Sequence, residues 1–361
     1  MLTLQCAGVR TSSRPPQSVR GPLLAMFVAL LAATAACGGS AAEPPPASGT
    51  VATVVNTEYL PVLSSLLDSA QQSVSVVQYE LVLDRDGTAI IEHLKHAVRR
   101  GVAVAVLLEN TVAGNTQAVE ALRHGGIQAQ LGSAARFTHA KLVIVDGAQV
   151  LFGSTNWSAQ SLENNNEANF FIQDAALAPW FASYASQLMA ASDQTPKLEP
   201  LTTDLGSAMK DGDYVGHASA MIEAAKRRVQ LVVYGMNADT RYSDSDVVAL
   251  IAKLGAARAR GVSVQVLLEI SDPDLGVNDI NREAARQLRA AGVEVHFDQP
   301  DVITHAKVLV CDDDAIVGSN NWGYGGFHTY HEVGLRTRIP SVVREVSRYV
   351  DRLWMASTPT M

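Results

Sequence analysis

The amino-acid sequence predicts an α/β protein made of two tandem copies of one domain, each a sheet covered by helices on both faces. The segment "GVAVAVLLE" (residues 101–109) returns as "GVSVQVLLE" (261–269). A longer segment, "THAKLVIVDGAQVLFGSTNW" (138–157), returns as "THAKVLVCDDDAIVGSNNW" (304–322). Within each copy, apolar strands alternate with amphipathic helices, which is typical of a sheet buried on both faces.

The predicted elements follow one another in the same order in both copies. The first three are a helix at about 57–71 and 215–227, a strand at 73–79 and 229–234, and a helix at 88–100 and 246–260. Gly101 and Gly261 end the second helices, where a glycine is the usual stop signal. A buried strand, another helix and another strand follow, and closing helices are expected at about 178–191 and 340–354.

Composition divides the chain into five segments. Residues 1–36 read as a signal peptide, and 37–50, rich in Gly, Ser and Pro, as a flexible tether. The two domains are expected at 51–195 and 214–361. Residues 196–213 have Pro, Thr and Asp with little periodicity, and they are predicted to link the domains.

The N-terminal segment carries three Arg before the apolar run "GPLLAMFVALLAATAAC" (21–37), which is short for a transmembrane span. The end of this run resembles the lipobox of bacterial lipoproteins, in which cleavage leaves an N-terminal cysteine that receives lipid. Ala35, Ala36 and Cys37 match, whereas Thr34 replaces the usual Leu. The resemblance implies a protein of the bacterial cell envelope, anchored through Cys37 on the periplasmic or extracellular face. An ordinary cleaved signal is the alternative.

Bulk composition restricts the partners. Apolar residues make up 47% and charged residues 18%, which fits a globular protein with a large core. The net charge of −8 repels polyanions at long range, and it disfavours nucleic acid as the main partner without excluding a local basic cleft. Cleavage of the signal peptide would remove Cys6, and once Cys37 is lipidated Cys311 has no cysteine left to pair with.

The repeated motif brings several reactive side chains to one end of a predicted hairpin. In the first copy a strand is expected to start at His139 and to place Lys141 on the same face. An Asp-Gly pair at Asp146 predicts the hairpin turn, and the returning strand carries Ser154 and Asn156 back beside His139. These groups can hold a tetrahedral phosphate anion, and imidazole can act as base, acid or nucleophile near neutral pH.

This pattern, H-x-K-x4-D followed by G-S-x-N, resembles the phospholipase D superfamily. The matching residues are His139, Lys141, Asp146, Gly153, Ser154 and Asn156 in the first copy, and His305, Lys307, Asp312, Gly318, Ser319 and Asn321 in the second. The family also places a glutamate downstream, and Glu167 and Glu332 each lie 14 residues after their glycine. The resemblance covers nearly all of the chain after about residue 51.

The resemblance implies two α-β-α sandwich domains packed as a pseudo-twofold dimer within one chain, which is expected to be a monomer. One histidine would attack phosphorus and form a phosphohistidine, and the other would protonate the leaving alcohol. In the family's usual order His139 is the nucleophile and His305 the acid, although the symmetry leaves this assignment open. No cofactor and no metal are expected, because two His and two Lys supply the charge.

The resemblance also implies roles for the other motif residues. Lys141, Lys307, Asn156 and Asn321 would hold the phosphate oxygens, and Glu167 and Glu332 would orient the imidazoles. Asp146 and Asp312 are more simply explained as binding turn amides, and Ser154 and Ser319 as capping backbone groups. Trp157 and Trp322 are expected in a wall or the core, with cation–π binding of a choline-like head group as the alternative. His328 and His331 are candidates for the pocket lining.

The predicted function is that of a phosphoric diester hydrolase of phospholipase D type, acting on phospholipid. It would release the head group to leave phosphatidic acid, or transfer the phosphatidyl group to another alcohol. The alternative is a nuclease of the same superfamily, which would need a basic groove with stacking aromatics. A third hypothesis is a phosphate-binding protein without turnover, against which the two intact motifs argue. Head-group choice is expected to depend on loops 236–246 and 271–279.

Overall fold

A computed structural model of the chain describes residues 49–239, 245–270, 275–299 and 301–359. The predicted signal peptide and lipidation site at Cys37 lie outside the described residues, as do most of the tether and parts of both predicted specificity loops. The bounds of the signal peptide and of most of the tether therefore remain predictions.

The first half of the fold is a seven-stranded mixed sheet. Its strands are β1 Thr50–Val55, β2 Ser73–Gln78, β3 Ala103–Leu108, β4 Gln128–Leu131, β5 Leu142–Val145, β6 Gln149–Gly153 and β7 Ala168–Gln173. They lie in the order β1-β7-β6-β5-β2-β3-β4. Strands β2, β3 and β4 run parallel, and the remaining neighbours pair antiparallel.

The second half repeats this sheet and adds one short edge strand. Its strands are β8 Thr202–Thr203, β9 Gly206–Lys210, β10 Arg228–Val233, β11 Ser263–Leu268, β12 Glu294–Phe297, β13 Val308–Cys311, β14 Asp314–Gly318 and β15 Val333–Thr337. The order is β12-β11-β10-β13-β14-β15-β9-β8, with β10, β11 and β12 parallel. The duplication expected from the repeated segments is therefore present in the fold.

Helices cover both faces of each sheet. They are α1 Tyr59–Ser69, α2 Arg85–Arg99, α3 Asn115–His124, α4 Leu177–Ala190, α5 Asp213–Ala224, α6 Asp246–Ala259, α7 Leu275–Ala290 and α8 Pro340–Ala356. Helices α1 to α3 pack on one face of the first sheet, and α5 to α7 pack on the corresponding face of the second. Helices α4 and α8 lie on the opposite faces. Each half is therefore the predicted α-β-α sandwich.

Local sequence explains where the helices begin and end. The Asp84 side chain accepts hydrogen bonds from the backbone N–H groups of Asp86 and Gly87, which caps the start of α2. Pro340 occupies the first turn of α8, where its missing N–H costs nothing. Gly101 follows α2 with a φ of 89°, a conformation that favours glycine.

A single apolar core joins the two halves. It contains Phe181 and Tyr184 from α4, Val346 and Tyr349 from α8, and apolar residues from the facing sides of both sheets. Strand β14 contacts β6 and β7, and β15 contacts β6. The two halves therefore pack as a pseudo-twofold dimer, as the resemblance implied.

Two local features differ from the sequence-based expectation. Residues 206–210, placed in the linker, form β9, which pairs with β15 at the edge of the second sheet. This strand is short and mixes small with polar residues, so it has no periodicity to detect. Strand β5 begins at Leu142 rather than His139. The residues just before it pair with the other half instead, through a parallel bridge between Thr138 and His331.

Within the described ranges, the helices are too short or too polar to cross a membrane.

Candidate active site

His139 and His305 line one pocket of about 630 Å³ between the two halves. Asn156 and Asn321 also line it, one from each half, together with aromatic and polar side chains that follow β2 and β10. The single shared pocket expected from the resemblance is therefore present, with one imidazole contributed by each copy of the motif.

Each catalytic candidate histidine is held by the glutamate of the other half. The Nδ1 atom of His139 lies 2.9 Å from Oε1 of Glu332, and Nδ1 of His305 lies 3.1 Å from Oε1 of Glu167. All four side chains are buried. A carboxylate at Nδ1 fixes the orientation of the ring and leaves Nε2 available for chemistry.

Backbone pairing across the pseudo-twofold axis produces this crosswise arrangement. The N–H of His139 donates to the carbonyl of His331, and the N–H of His305 donates to the carbonyl of Asn166. Glu332 and Glu167 are the next residues in the chain. The backbone bond of the preceding residue therefore brings each glutamate to the histidine of the opposite copy.

The two motif lysines are buried beneath the pocket. Lys141 Nζ donates to the carbonyl of His139 at 2.6 Å and lies 4.7 Å from the ring centroid of Tyr79. Lys307 donates to the carbonyl of His305 and lies 5.0 Å from the Tyr234 ring. Burial lowers the pKa of Lys141 to about 8 and lowers the pKa of Lys307 well below its ordinary value. Because burial disfavours the ammonium form of both lysines, an anion bound in the pocket would stabilise that form and be stabilised by it.

The motif serines support the glutamates. Ser154 Oγ donates to Glu167, and Ser319 Oγ donates to Glu332. Each hydroxyl also accepts a backbone N–H, from Ala168 at 2.9 Å and from Val333 at 3.0 Å. Both serines are fully buried. They hold the carboxylates and the backbone together and do not line the pocket, unlike the asparagines.

The two asparagines differ in their contacts. Asn321 Oδ1 accepts the N–H of Gly235 at 3.2 Å. The Oδ1 atom of Asn156 is buried, and no described residue donates a hydrogen bond to it. Glu80 occupies the position in the first half that Gly235 occupies in the second, and Glu80 also lines the pocket.

The two glutamates differ in pKa because their surroundings differ. Burial raises the pKa of Glu332 to about 7, and the charge of Asp211 contributes in the same direction. Burial also acts to raise the pKa of Glu167, but the surrounding groups, chiefly His305, outweigh it and hold that pKa below its usual value. Burial and the neighbouring lysines lower the pKa of both imidazoles.

Asp146 and Asp312 lie away from the pocket and bind turn amides. Each carboxylate accepts three backbone N–H groups, Asp146 from residues 71–73 and Asp312 from residues 226–228. Both residues have a φ of 52° in the hairpin turn. Their contacts fit the structural explanation given from the sequence.

The two tryptophans and the two additional histidines also lie outside the pocket lining. Trp157 and Trp322 are buried in the cores of the halves, and their indole N–H groups donate to Tyr59 and Tyr214. His331 is buried beside Asp211, and His328 pairs with Asp246 at 2.9 Å.

Sequence reasoning missed the aromatic residues around His139. The ring centroids of Phe137 and Tyr330 are 4.5 Å apart, and those of Tyr79 and His139 are 5.2 Å apart. Ile303 and Asn165 occupy the corresponding positions in the other half, as judged from the alignment of the copies. That alignment could have revealed this difference before the structure did.

Sequence reasoning also missed a residue behind each glutamate. Asn56 Oδ1 accepts the N–H of Glu167 at 2.9 Å and the hydroxyl of Tyr349 at 2.9 Å. Asp211 Oδ1 accepts the N–H of Glu332 at 3.1 Å and the hydroxyl of Tyr184 at 2.8 Å. Asn56 has a φ of 51° and Asp211 of 46°. The two are equivalent residues of the duplicated fold that differ in charge.

Across the part of the chain that the structure describes, His, Cys, Asp and Glu side chains form no group of three or more suited to a metal ion.

The comparisons with known proteins agree with this architecture. The family model "Cardiolipin synthase, PLD-like domain" matches residues 63–189 and again 219–354. The chain is 28% identical to cardiolipin synthase A of Pseudomonas aeruginosa over 313 residues, which covers 78% of this chain and 62% of that protein. It is 32% identical to the mitochondrial cardiolipin hydrolase of Xenopus tropicalis over 110 residues, 30% of this chain and 50% of that one. The chain spans about half the length of the curated relatives it matches.

Solved structures show the same fold. Phosphatidylserine synthase from Haemophilus influenzae superposes with a TM-score of 0.68 at 13% identity, covering 85% of this chain and 87% of that one. Polyphosphate kinase from Porphyromonas gingivalis superposes with a TM-score of 0.61 at 13% identity, covering 84% of this chain and 46% of that one. The family model matches most of the chain in two consecutive copies. The chain belongs to the phospholipase D superfamily, with two tandem phospholipase D-like domains.

Proposed function

We propose that the chain is a phospholipid-directed phosphodiesterase that forms a phosphohistidine and passes the phosphatidyl group to water or to an acceptor alcohol. One observation carries the proposal: His139 and His305 face one pocket, each backed by a buried glutamate from the opposite half. Two imidazoles on opposite sides of one phosphate suit an attack and a departure in line at phosphorus.

The pocket supplies the charge and the donors that a phosphodiester needs. Lys141 and Lys307 lie beneath it, where a phosphodiester anion would favour their ammonium form, and the amide groups of Asn156 and Asn321 line its wall. In the transition state the non-bridging oxygens gain negative charge, which fixed cations and donors stabilise. A covalent intermediate divides one difficult displacement into two easier ones.

Relatives support the choice of phospholipid. The relative that matches most of the chain is named as a cardiolipin synthase, and the one that matches part of it is named as a cardiolipin hydrolase. Cardiolipin is a phospholipid. The acidic net charge also favours lipid over nucleic acid as the substrate. A synthase transfers to an alcohol and a hydrolase transfers to water, and both outcomes use the same first step.

The direct test is turnover of defined diesters by the full chain. Vesicles of phosphatidylglycerol and of phosphatidylcholine, a nitrophenyl phosphodiester and single-stranded DNA are offered separately, with EDTA present and with glycerol added or omitted. We expect phosphatidic acid from either lipid without acceptor, and phosphatidylglycerol from the phosphatidylcholine vesicles when glycerol is added. Cleavage of DNA that collapses with rising salt would instead favour the nuclease. Failure on every diester with phosphate still bound would favour the binding protein.

We also propose that the mature protein is tethered to the bacterial envelope through lipid on Cys37. The support is the "TAAC" sequence at the end of the apolar run, followed by the Gly/Ser/Pro-rich stretch. Cys37→Ala should abolish incorporation of labelled fatty acid and should release the protein from the membrane fraction. Unchanged membrane association of that variant would contradict the anchor.

A further inference from the structure

The carboxylates behind the two histidines receive different numbers of hydrogen bonds. Ser161 Oγ donates to Glu167 at 2.6 Å, and the Asn165 amide lies 3.4 Å from the same oxygen. Both contacts are additional to the one from Ser154. The corresponding residues near Glu332 are Gly326 and Tyr330, which make no such bond in the structure.

The second half has no room for the missing serine. A Cβ atom on Gly326 would lie 2.4 Å from the carbonyl oxygen of Asn321. Donors around a carboxylate stabilise its ionised form. Glu167, with three side-chain donors besides His305, is therefore held as an anion more firmly than Glu332.

A negative charge near Glu332 also makes its ionised form less stable than that of Glu167. Oδ1 of Asp211 accepts the backbone N–H of Glu332, whereas Oδ1 of the neutral Asn56 accepts that of Glu167. Arg136 approaches the other oxygen of Asp211 at 3.7 Å and is partly exposed to solvent, so it offsets that charge incompletely. Asp211 therefore disfavours a second negative charge on Glu332.

Proton content decides the chemical role of each histidine–glutamate pair. When the pair has lost its proton, Nδ1–H donates to the carboxylate and Nε2 carries a lone pair, which makes it a nucleophile. When the pair keeps the proton, Nε2 bears hydrogen whether the extra proton resides on imidazole or on the carboxyl group. The pair that binds its proton more tightly is therefore the general acid.

We propose that Ser161 and Asn165 on one side and Asp211 on the other divide the roles, so that His305 is the nucleophile and His139 the general acid. This inference rests on the proposed function and reverses the order expected from the family resemblance. Ser161, Asn165 and Asp211 are positioning residues, because they act through the glutamates.

The pKa shifts of the two glutamates agree with this order. Burial lowers the pKa of the His139 ring well below its ordinary value, so the proton of that pair resides on Glu332 rather than on the imidazole. Burial raises the pKa of Glu332 to about 7, so its pair with His139 retains a proton near neutral pH. The surroundings hold the pKa of Glu167 below its ordinary value despite burial, so its pair with His305 loses a proton earlier.

Other charged groups lie near both histidine–glutamate pairs, and they leave the difference in proton affinity between the pairs in place. Lys141 and Lys307 act on both glutamates and both histidines. Glu80 and Glu109 act on Lys141, and Glu269 acts on Lys307. His331 lies 3.6 Å from Asp211, and its Nε2 faces the carbonyl of Ser192 at 2.8 Å.

The two steps balance as follows. The Nε2 lone pair of His305 forms a bond to phosphorus, the bond to the leaving oxygen breaks, and that oxygen takes the Nε2 proton of His139. In the second step water or an alcohol attacks phosphorus and gives its proton to Nε2 of His139. The phosphorus–nitrogen bond then breaks, and its electron pair returns to His305.

This order places both alcohols on the side of His139. The leaving head group and the incoming acceptor would lie against Phe137 and Tyr330, whose rings stand beside that imidazole. Phe137→Ala should therefore lower the ratio of transfer to hydrolysis with a glycerol acceptor. Ile303→Ala, at the matching position near His305, is the control and should change this ratio less. An unchanged ratio in Phe137→Ala, or a larger fall in Ile303→Ala, would count against the assignment.

An activated substrate distinguishes the two histidines directly. Nitrophenolate departs without a proton, so His139→Ala should still release a burst of about one nitrophenolate per chain and accumulate phosphoryl on His305. Base-quenched peptide mapping locates that phosphoryl group. His305→Ala should give no burst. A burst in His305→Ala, phosphoryl on His139 of the wild type, or no burst in either variant of an active enzyme overturns the assignment.

The pH dependence of kcat/KM tests whether Ser161 and Asp211 act as positioning residues. Asp211→Asn retains an Oδ1 acceptor for Tyr184 and Glu332 and removes the negative charge, so the basic limb should move down by about half a unit to one unit. Ser161→Ala should move the acidic limb up by about the same amount. A uniform loss of rate with both limbs fixed would mean that these residues are structural only. A shift of the acidic limb in Asp211→Asn would reverse the roles.

A readout without turnover keeps this inference separate from the proposed function. Nitrogen-15 NMR of histidine-labelled protein, with His139→Ala and His305→Ala for assignment, follows proton loss from each ring on titration. We expect the His305–Glu167 pair to lose its proton at a lower pH than the His139–Glu332 pair. Asp211→Asn should reduce the difference between these two pH values. The opposite order, or no effect of Asp211→Asn, overturns the inference even if no diester is cleaved. If no diester is cleaved while this order holds, the proposed function alone fails.

Discussion

The two halves of the molecule have the same strands and the same motif, yet they surround their glutamates differently. Glu167 lies among Ser154, Ser161 and Asn165, with neutral Asn56 behind it. Glu332 has Ser319 and the anion of Asp211. The comparison teaches that a duplicated site can retain its frame and still assign different protonation states to its two copies.

The difference lies one layer away from the reacting atoms. The histidines, lysines, asparagines and glutamates are the same in both copies of the motif. The residues described above that differ contact a glutamate, at its carboxylate or at its backbone N–H, or surround an imidazole ring. A substrate phosphate would meet chemically identical groups with unequal proton affinities on its two sides. A displacement that needs one nucleophile and one general acid requires this difference.

The largest expected effect is loss of either imidazole. His139→Ala and His305→Ala should each lower kcat on a phospholipid by about 10²–10⁴-fold, because that leaving alcohol needs both attack and protonation. Steady-state release of head group measures the effect. His93→Ala, on α2 and paired with Asp68 at 2.7 Å, is the matched control and should stay near wild type. Near-normal turnover in either site variant would refute a shared site.

Replacing a glutamate should lower kcat less than replacing a histidine, and the two glutamates should give unequal losses. Glu167→Gln should lower kcat by about 10²–10³-fold, because the anion balances the cation that forms on His305. Glu332→Gln should cost about tenfold at neutral pH, since a neutral amide resembles the proton-holding state of that carboxyl group. Equal losses, measured as kcat over the pH range, would contradict the difference between the halves.

Replacing either asparagine of the pocket should have a smaller effect on activity. Asn156→Ala and Asn321→Ala should each reduce kcat/KM by about 10–100-fold through one lost hydrogen bond to a charged oxygen. Asn321→Ala should also lower the free energy of unfolding by about 1 kcal/mol, because the Gly235 N–H loses its acceptor. Denaturant titration of both variants checks this, and equal stabilities would show that the Gly235 contact is unimportant.

The smallest effect on chemistry is expected at the hairpin aspartates. Asp146→Ala and Asp312→Ala should lower the free energy of unfolding by about 1–2 kcal/mol at pH 7, with little change in kcat. Burial opposes ionisation at each site, but three N–H donors bring the pKa below its ordinary value. The stabilisation is therefore present above the unfolded pKa of about 4 and is lost as pH falls through the folded pKa. Denaturant titrations at pH 7 and pH 3 should show the gap to wild type shrinking.

The repeated segments and the alternation of strands and helices were enough to predict the duplication and the α-β-α sandwiches, whereas the shared pocket was expected from the family resemblance. Each motif holds its histidine and asparagine on adjacent segments of one hairpin, so local geometry brings them together. The turn at Asp146 is likewise local, because an Asp-Gly pair between apolar strands favours a hairpin.

Other features depend on contacts across the pseudo-twofold axis. Spacing within one copy cannot show that Glu332 supports His139, because the partner is chosen by the bridge between Thr138 and His331. Asp211 was hidden for a related reason. It follows β9, whose five residues have no amphipathic pattern and are ordered by pairing with β15.

The exchange of glutamates has a consequence for how the chain can be divided. A half produced alone would present its imidazole to a gap where the partner's carboxylate belongs, and its share of the joint core, including Tyr184 or Tyr349, would be exposed to water. Cutting the connection between α4 and β8 should therefore leave two inert fragments. Mixing them should restore turnover only as they reassociate, with a rate that depends on the concentration of both.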